Sequence, residues 1–408
     1  MNLTSNVASK LADVQYDVCV VGAGPSGSAV AYFLAKGGLR VALLDKFDFP
    51  RDKTCGDGLT PRAIKMLDAM GILPQIEETA FNCPNLKIRY SDELSFYLDL
   101  DHLNGLPNYI LTVPRFQLDD VLRKHAVSAG AEFIPRAKVE TIRRAHDRRV
   151  QIEMANGHTI ECVLAVLATG ANTNLQQRIG LLNKTPPVNL AARAYFENID
   201  GLEQSITLFF DGVELPGYGW VFPTGERTAN VGCGVFFESH AAQTSRLRSL
   251  IEEHPLLQRL LRNARQVTPI KGYPLLTNFS PSSSGSESIL VVGEAVGLVN
   301  PVTGEGIDYA LESAQLAAST ILNEWHGGIL STATQKKYRA ALRERFQLQL
   351  MASHLLQKMY FRDEVWHTLL KSASQKPSLR NTMMELCFGI GNPFKAFSPK
   401  TLMEIFLP

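Results

Sequence analysis

The segment from Tyr16 to Asp45 constrains the fold of this chain more than any other. Tyr16 to Val21 is a short β-branched run, Gly22-Ala23-Gly24-Pro25-Ser26-Gly27 is a glycine turn, Ser28 to Lys36 reads as helix, and Leu39 to Leu44 as a second apolar strand. In such a βαβ unit the first glycine allows the tight turn. The second lets a pyrophosphate approach the backbone, and the third lets helix and strand pack closely. The helix N-terminus adds free N–H donors and the positive end of its dipole. Asp45 ends the second strand, 18 positions after Gly27. A carboxylate there can accept hydrogen bonds from an adenosine ribose. The unit predicts dinucleotide binding at the start of the fold, with Gly22, Gly24, Ser26, Gly27, Asp45 and Lys46 at the ligand. The hexapeptide alone does not separate FAD from NAD.

Composition narrows the partners. The net charge of the 408 residues is +1, which gives no basic face for nucleic acid. The six cysteines, Cys19, Cys55, Cys83, Cys162, Cys233 and Cys387, form no CxxC pair. They read as thiols in a reduced compartment, and no metal site is expected. The first fifteen residues are polar, carry Lys10 and no long apolar core, and are expected to be frayed rather than a secretory signal. No stretch reaches about 18 uninterrupted apolar residues, so no membrane span is expected. A cytoplasmic enzyme, free or at a membrane surface, is the expectation.

The chain then divides by pattern. Residues 113–129 read as a helix. Val150–Met154 and His158–Cys162 read as a hairpin around Asn156-Gly157, and Val163 to Ala168 as a strand buried on both faces. Between about 185 and 275, short aromatic and β-branched runs alternate with polar residues, as in Leu190–Phe196 and Ala229–Phe237. These predict a mostly antiparallel sheet inserted into the first domain. Ser280 to Ser288 is a polar linker, Ile289–Val292 a buried strand, and Gly304 to Leu322 a helix. The expected boundaries are 16–184 plus 280–330 for the dinucleotide domain, 185–279 for the inserted sheet and 331–408 for a helical C-terminal region.

Five further motifs carry chemistry. Ile289 to Ala295 followed by Asn300-Pro301-Val302-Thr303-Gly304-Glu305-Gly306-Ile307-Asp308 runs from a strand through Glu294 to a glycine-rich helix start. It resembles the segment that binds the ribityl chain and flavin ring in flavoproteins of the p-hydroxybenzoate-hydroxylase type. That family normally has Gly-Asp where this chain has Gly293-Glu294. Ala168-Thr169-Gly170 is similar to a family element near the dinucleotide. Phe49 to Arg62, with Arg51, Lys53, Cys55 and Gly56, resembles the flavin-facing loop of geranylgeranyl reductases, most of all their menaquinone β-reductase branch. Tyr218-Gly219-Trp220-Val221-Phe222-Pro223 with Gly232-Cys233-Gly234 is similar to the YxWxFP…GxG signature of the same family. The expected upstream proline stands at 216 rather than 215. Arg115 and Asp119 match that family's Arg-x-x-x-Asp helix start, whose arginine contacts FAD.

The resemblance implies an α/β chain with a Rossmann-like FAD-binding domain, an inserted antiparallel substrate sheet and a helical C-terminal region. It implies FAD held by Gly22, Gly24, Ser26, Gly27, Asp45, Lys46, Arg51, Lys53, Cys55, Gly56, Arg115, Ala168, Gly170, Gly293, Glu294, Pro301, Gly304, Glu305, Gly306 and Ile307. Tyr218, Trp220 and Cys55 would face the reacting alkene, an aromatic wall suiting an isoprenoid tail and a developing cation. The implied reaction is reduction of carbon–carbon double bonds in a polyprenyl chain by hydride from flavin N5. NADPH or a small electron carrier would reduce the flavin, since no second nucleotide fingerprint occurs. The alternative is a flavin monooxygenase or halogenase on the same fold. A halogenase would carry Trp where Tyr218 stands. The apolar residues of 346–370 and 383–407 suggest either helices over the substrate tunnel and core or an interfacial membrane anchor.

Overall fold

Tyr16–Val21 is buried along its whole length, as a central parallel strand is, and it is apolar but for Asp17, whose carboxylate pairs with Arg40. It pairs in parallel with Val41–Leu44 on one side and Thr159–Leu167 on the other. The computed structural model describes residues 16–407 apart from 102, 104, 146–148, 236–242 and 327–328; the expected frayed segment 1–15 lies outside them. Glu132–Ile134 and Ile289–Val291 extend the parallel sheet at its two sides. The Pro25–Lys36 helix packs on this sheet between Arg115–Ser128 and Ile307–Glu324. The hairpin at Asn156-Gly157 forms as expected, with Gly157 at φ 81°, and Val139–Arg144 adds a third antiparallel strand.

The second sheet runs Arg265–Gln266, Asn189–Glu197, Thr228–Val235, Gly217–Gly225, Ser205–Phe209, with Lys271–Leu275 also pairing Asn189–Glu197. It recruits two strands from far upstream. Asn85–Arg89 pairs in parallel with Ser205–Phe209, and Ser95–Leu98 pairs with Asn85–Arg89. Two helices, Gln243–Glu253 and Pro255–Leu260, cover part of it. The polar linker holds a short strand, Gly285–Ser286, because Gly285 at φ 120° turns the chain back onto Leu290.

Helix starts shift from the sequence expectation for local reasons. Pro114 sits in extended conformation as the cap, so that helix begins at Arg115. Gly304 at φ 69° keeps the later loop open until Ile307. The C-terminal region is helical throughout: Leu348–Tyr360, Asp363–Gln375, Pro377–Cys387 and Pro399–Phe406. Among the described residues, no helix is long and apolar enough to cross a membrane.

Candidate active site

The glycine turn closes one end of a deep cleft of about 830 Å³ between the two sheets. Gly22 adopts φ 106°, and a Cβ on it would lie 2.3 Å from the Ala168 carbonyl oxygen. A Cβ on Gly27 would lie 1.7 Å from the Gly22 oxygen. Both glycines are demanded by the packing of strand, turn and helix. Gly24 differs: a Cβ there would meet only Arg51 Nη2, at 3.6 Å. Its missing side chain leaves open cleft, and the helix behind it has no side-chain cap on its first N–H groups. Ser26 lines the cleft, whereas Gly27 stands behind it. Asp45 is buried; its Oδ2 accepts from Ala23 N at 2.8 Å and its Oδ1 from Phe47 N at 3.0 Å. It braces two loops while still lining the cleft, with the exposed Lys46 beside it.

Ala168, Gly170 and Glu294 form the next stretch of wall. Gly293, at φ 64°, stands behind it, where a Cβ would lie 2.7 Å from Ser26 Oγ. Pro301 also stands behind, its carbonyl accepting from Gln357 Nε2 at 2.8 Å. Gly304, Glu305, Gly306 and Ile307 line the cleft at the uncapped start of the Ile307–Glu324 helix. The sequence-expected residues therefore converge on one cleft, with Gly27, Gly293 and Pro301 shaping it from behind.

Across the cleft, Arg51 donates to Asp119 at 2.9 Å, and Arg115 grips the same carboxylate with two bonds of 2.7 and 2.8 Å. Asp119 is fully buried, so the helix start at 115 fixes the Arg51 side chain. Lys53 lies 3.7 Å from Glu294 and over the Tyr273 ring. Burial pushes the Cys55 thiol up, which keeps it protonated. The space left at Gly56 is taken by Phe222, whose ring would lie 3.0 Å from a Cβ there. Gly232 sits opposite Trp220 in register and Gly234 opposite Tyr218. A Cβ on Gly232 would come within 2.1 Å of the Trp220 ring. This is the physical content of the first glycine of the GxG motif: it makes room for the Trp220 ring. Their strand presents Tyr218, Trp220 and Phe222 to the cleft.

A buried polar network, not foreseen from the sequence, ties this wall to the loop. Trp220 Nε1 donates to Asn230 Oδ1 at 2.9 Å, and Asn230 Nδ2 donates to the Cys55 carbonyl at 2.7 Å and to Asp57 Oδ2 at 2.8 Å. The Tyr195 hydroxyl donates to the same Asp57 oxygen. Asp57 adopts φ 71°, and burial pushes its carboxyl up to about 6. The available signal was Asn230 itself, a polar residue on the strand face shared by Gly232 and Gly234.

Residues 15–345 match the FAD-binding domain family. The chain belongs to that family. It is a geranylgeranyl-reductase-like, FAD-dependent oxidoreductase. This flavoprotein is 33% identical over 318 residues to the menaquinone reductase of Mycobacterium tuberculosis, covering 76% of this chain and 77% of that protein. It is 31% identical over 357 residues to the digeranylgeranylglycerophospholipid reductase of Methanocaldococcus jannaschii, covering 83% and 85%. Among solved structures, a geranylgeranyl bacteriochlorophyll reductase-like protein from Thermoplasma acidophilum superposes with TM-score 0.77 at 21% identity, covering 91% and 96%. The flavin-dependent brominase Bmp2 shares the fold, with TM-score 0.74 at 18% identity, covering 92% and 94%.

The flavoprotein's cleft fits FAD on its own terms. Its volume is at the upper end of ligand pockets, about 300–1,000 Å³. Both ends are helix N-termini without side-chain caps, which suits a pyrophosphate and an electron-rich ring edge. Glu294 Oε1 and Thr169 Oγ1 are buried without a partner among the described residues, and both residues line the cleft. Hydroxyl groups of a bound ribityl or ribose would supply partners of the kind these atoms lack.

Proposed function

We propose that this flavoprotein reduces carbon–carbon double bonds of a polyprenyl chain, of the menaquinone or geranylgeranyl type. One observation carries the reading: the aromatic wall of the FAD cleft abuts a second, apolar cavity of about 240 Å³ among the C-terminal helices. Leu356, Tyr360, Trp366, Leu369, Met383 and Ile405 line that cavity. Val302 lines it too, one residue before the cleft-lining Thr303. Cys387 lines the cavity as well. An apolar cavity packed beside an aromatic, flavin-side wall suits an isoprenoid chain. The names of both curated relatives support the reading.

When bound and reduced, FAD would supply the hydride for the alkene. The protein holds the alkene against Tyr218 and Trp220, excludes water and favours cationic character at the tertiary carbon. The Tyr218 hydroxyl is anchored to the Thr303 carbonyl, which fixes its ring at the cleft edge. The reductant is NADPH, visiting the flavin without a domain of its own, or a small electron carrier.

The reading extends to a bilayer surface, where a polyprenyl substrate resides. Leu348, Met351, Leu355 and Met359 form an exposed stripe along one helix, 42–60% exposed. Met403, Phe406 and Leu407 are also exposed, and Lys358 and Lys400 stand among them. Leu348 lines the apolar cavity as well, so stripe and cavity are continuous. Such a face suits shallow insertion at an interface. The test of the reaction is anaerobic: dithionite-reduced protein is mixed with menaquinone or geranylgeranyl diphosphate, and flavin reoxidation is followed. Reoxidation by the prenyl compound without oxygen supports the reductase. Reoxidation only on admitting oxygen would identify an oxygen-using enzyme.

A further inference from the structure

Beside the aromatic wall lies an ionic cluster with unbalanced charge. Arg62, buried on the Pro61–Ala69 helix, lies 3.2 Å from Asp308 and 2.5 Å from Glu312, with its guanidinium over the Tyr309 ring. Arg345 pairs with Glu312 at 2.6 Å. Glu305 is the third carboxyl of the group. No hydrogen bond or ion pair reaches its side chain among the described residues, and the residue lines the FAD cleft. Two guanidiniums thus face three carboxyls. Both cations are engaged by Asp308 and Glu312, so the remaining carboxyl is the one left to hold a proton.

The position of Glu305 gives that proton a use. Tyr218 from the aromatic strand and Cys387 from the Pro377–Cys387 helix both lie within electrostatic reach of it. Tyr218 and Cys387 are themselves held neutral, the tyrosine well above its ordinary range and the thiol up to about 12, both mainly by burial. Glu305 therefore sits where the apolar cavity meets the FAD cleft: it lines the cleft just after Val302, which lines the cavity, and Thr303, whose carbonyl holds the Tyr218 hydroxyl. We propose that Glu305 is the catalytic proton donor for alkene reduction. The step rests on the prenyl-reductase reading above. The π pair of the alkene takes the Glu305 proton at the less substituted carbon. The tertiary carbon takes a hydride from reduced FAD, which is left oxidised, and Glu305 is left as carboxylate to be reprotonated from solvent. Burial and the Asp308 charge raise the Glu305 carboxyl well above the ordinary carboxylate range, and Arg62 opposes them only in part. The acid is accordingly available at neutral pH.

The test compares FAD-loaded wild type, Glu305→Gln and Glu305→Asp. Infrared difference spectra at neutral pH report the protonated-carboxyl band. Dithionite-reduced protein mixed anaerobically with menaquinone reports the reduction rate against pH. The expected wild-type spectrum contains a carboxyl band that Glu305→Gln lacks. Alkene reduction in Glu305→Gln is expected to fall at least about 100-fold with FAD content unchanged, while Glu305→Asp keeps part of the rate. The wild-type rate falls as pH rises through the Glu305 titration, and Glu305→Gln loses that limb. Near-wild-type turnover in Glu305→Gln, or a wild-type spectrum without the band, overturns the proposal. If Glu305→Gln fails to hold FAD, the wild-type band and the pH profile of Glu305→Asp decide. A band present in a wild type that reduces no prenyl compound would refute the substrate reading and leave the protonation of Glu305 standing.

Discussion

Replacing Asp57 by asparagine changes one atom and removes one titration. Asp57 is fully buried, and its Oδ2 accepts from Asn230 and Tyr195 while its Oδ1 has no partner among the described residues. Burial outweighs those donors and the nearby Arg193 and Arg115, pushing the carboxyl up to about 6 from 3.8. A carboxyl that titrates about two pH units high in the folded state is linked to about 3 kcal/mol. The sign follows from which state holds the proton. Between about pH 4 and pH 6 the folded protein binds it more tightly, so this stabilisation is present below the unfolded value and is lost as pH rises through about 6. Asparagine keeps an acceptor for Asn230 and Tyr195 and is the residue best able to adopt φ 71°. It has no charge to ionise. Urea denaturation of FAD-saturated wild type and Asp57→Asn from about pH 4 to about pH 7 checks this. The stability of wild type relative to the variant should drop by about 3 kcal/mol across that range. Parallel pH curves for the two proteins would refute the reasoning.

Other outcomes follow from the same geometry. Gly24→Val should yield folded protein without yellow colour, because its side chain enters open cleft, whereas Gly27→Val should not fold, because its Cβ meets the Gly22 oxygen; absorbance and far-ultraviolet circular dichroism separate the two. Trp220→Phe keeps most of the ring but drops the bond to Asn230, so it should retain FAD, cost about 1 kcal/mol in denaturation and lower alkene reduction; unchanged turnover would return Trp220, and by extension Tyr218, to a packing role. Co-sedimentation with vesicles should be reduced by replacing Met351, Leu355 and Met359 with glutamine while FAD stays bound; protein that never sediments would refute the interfacial reading.

The parts of the fold that were legible in the sequence are those whose cause is local. The Gly22–Gly27 spacing, the Asn156-Gly157 turn and the strand holding Tyr218 and Trp220 each follow from a few consecutive residues. Pairings between distant segments left no such trace. Asn85–Arg89 joins the second sheet beside Ser205–Phe209, and Asp57 meets Asn230 across 173 positions. Apolar periodicity in the C-terminal helices was visible, but not which face turns inward. Leu350, Trp366, Leu369 and Leu370 are buried, while Leu348, Met351, Leu355 and Met359 are exposed. Sequence assigned Glu305 to the cofactor loop. The acid role proposed for it rests on Arg62, 243 positions upstream, being engaged by Asp308 and Glu312, a pairing with no local trace in the sequence.

Product mass tests the central claim most directly. Reduced, FAD-loaded protein is incubated without oxygen with a panel of polyprenyl compounds that includes menaquinone and geranylgeranyl diphosphate, and the recovered lipids are analysed by mass spectrometry. The account predicts that at least one compound gains the mass of one or more hydrogen pairs, with fragmentation placing the added hydrogens in the prenyl chain. Lipids recovered unchanged across the panel, from protein shown to carry reduced FAD, would contradict it.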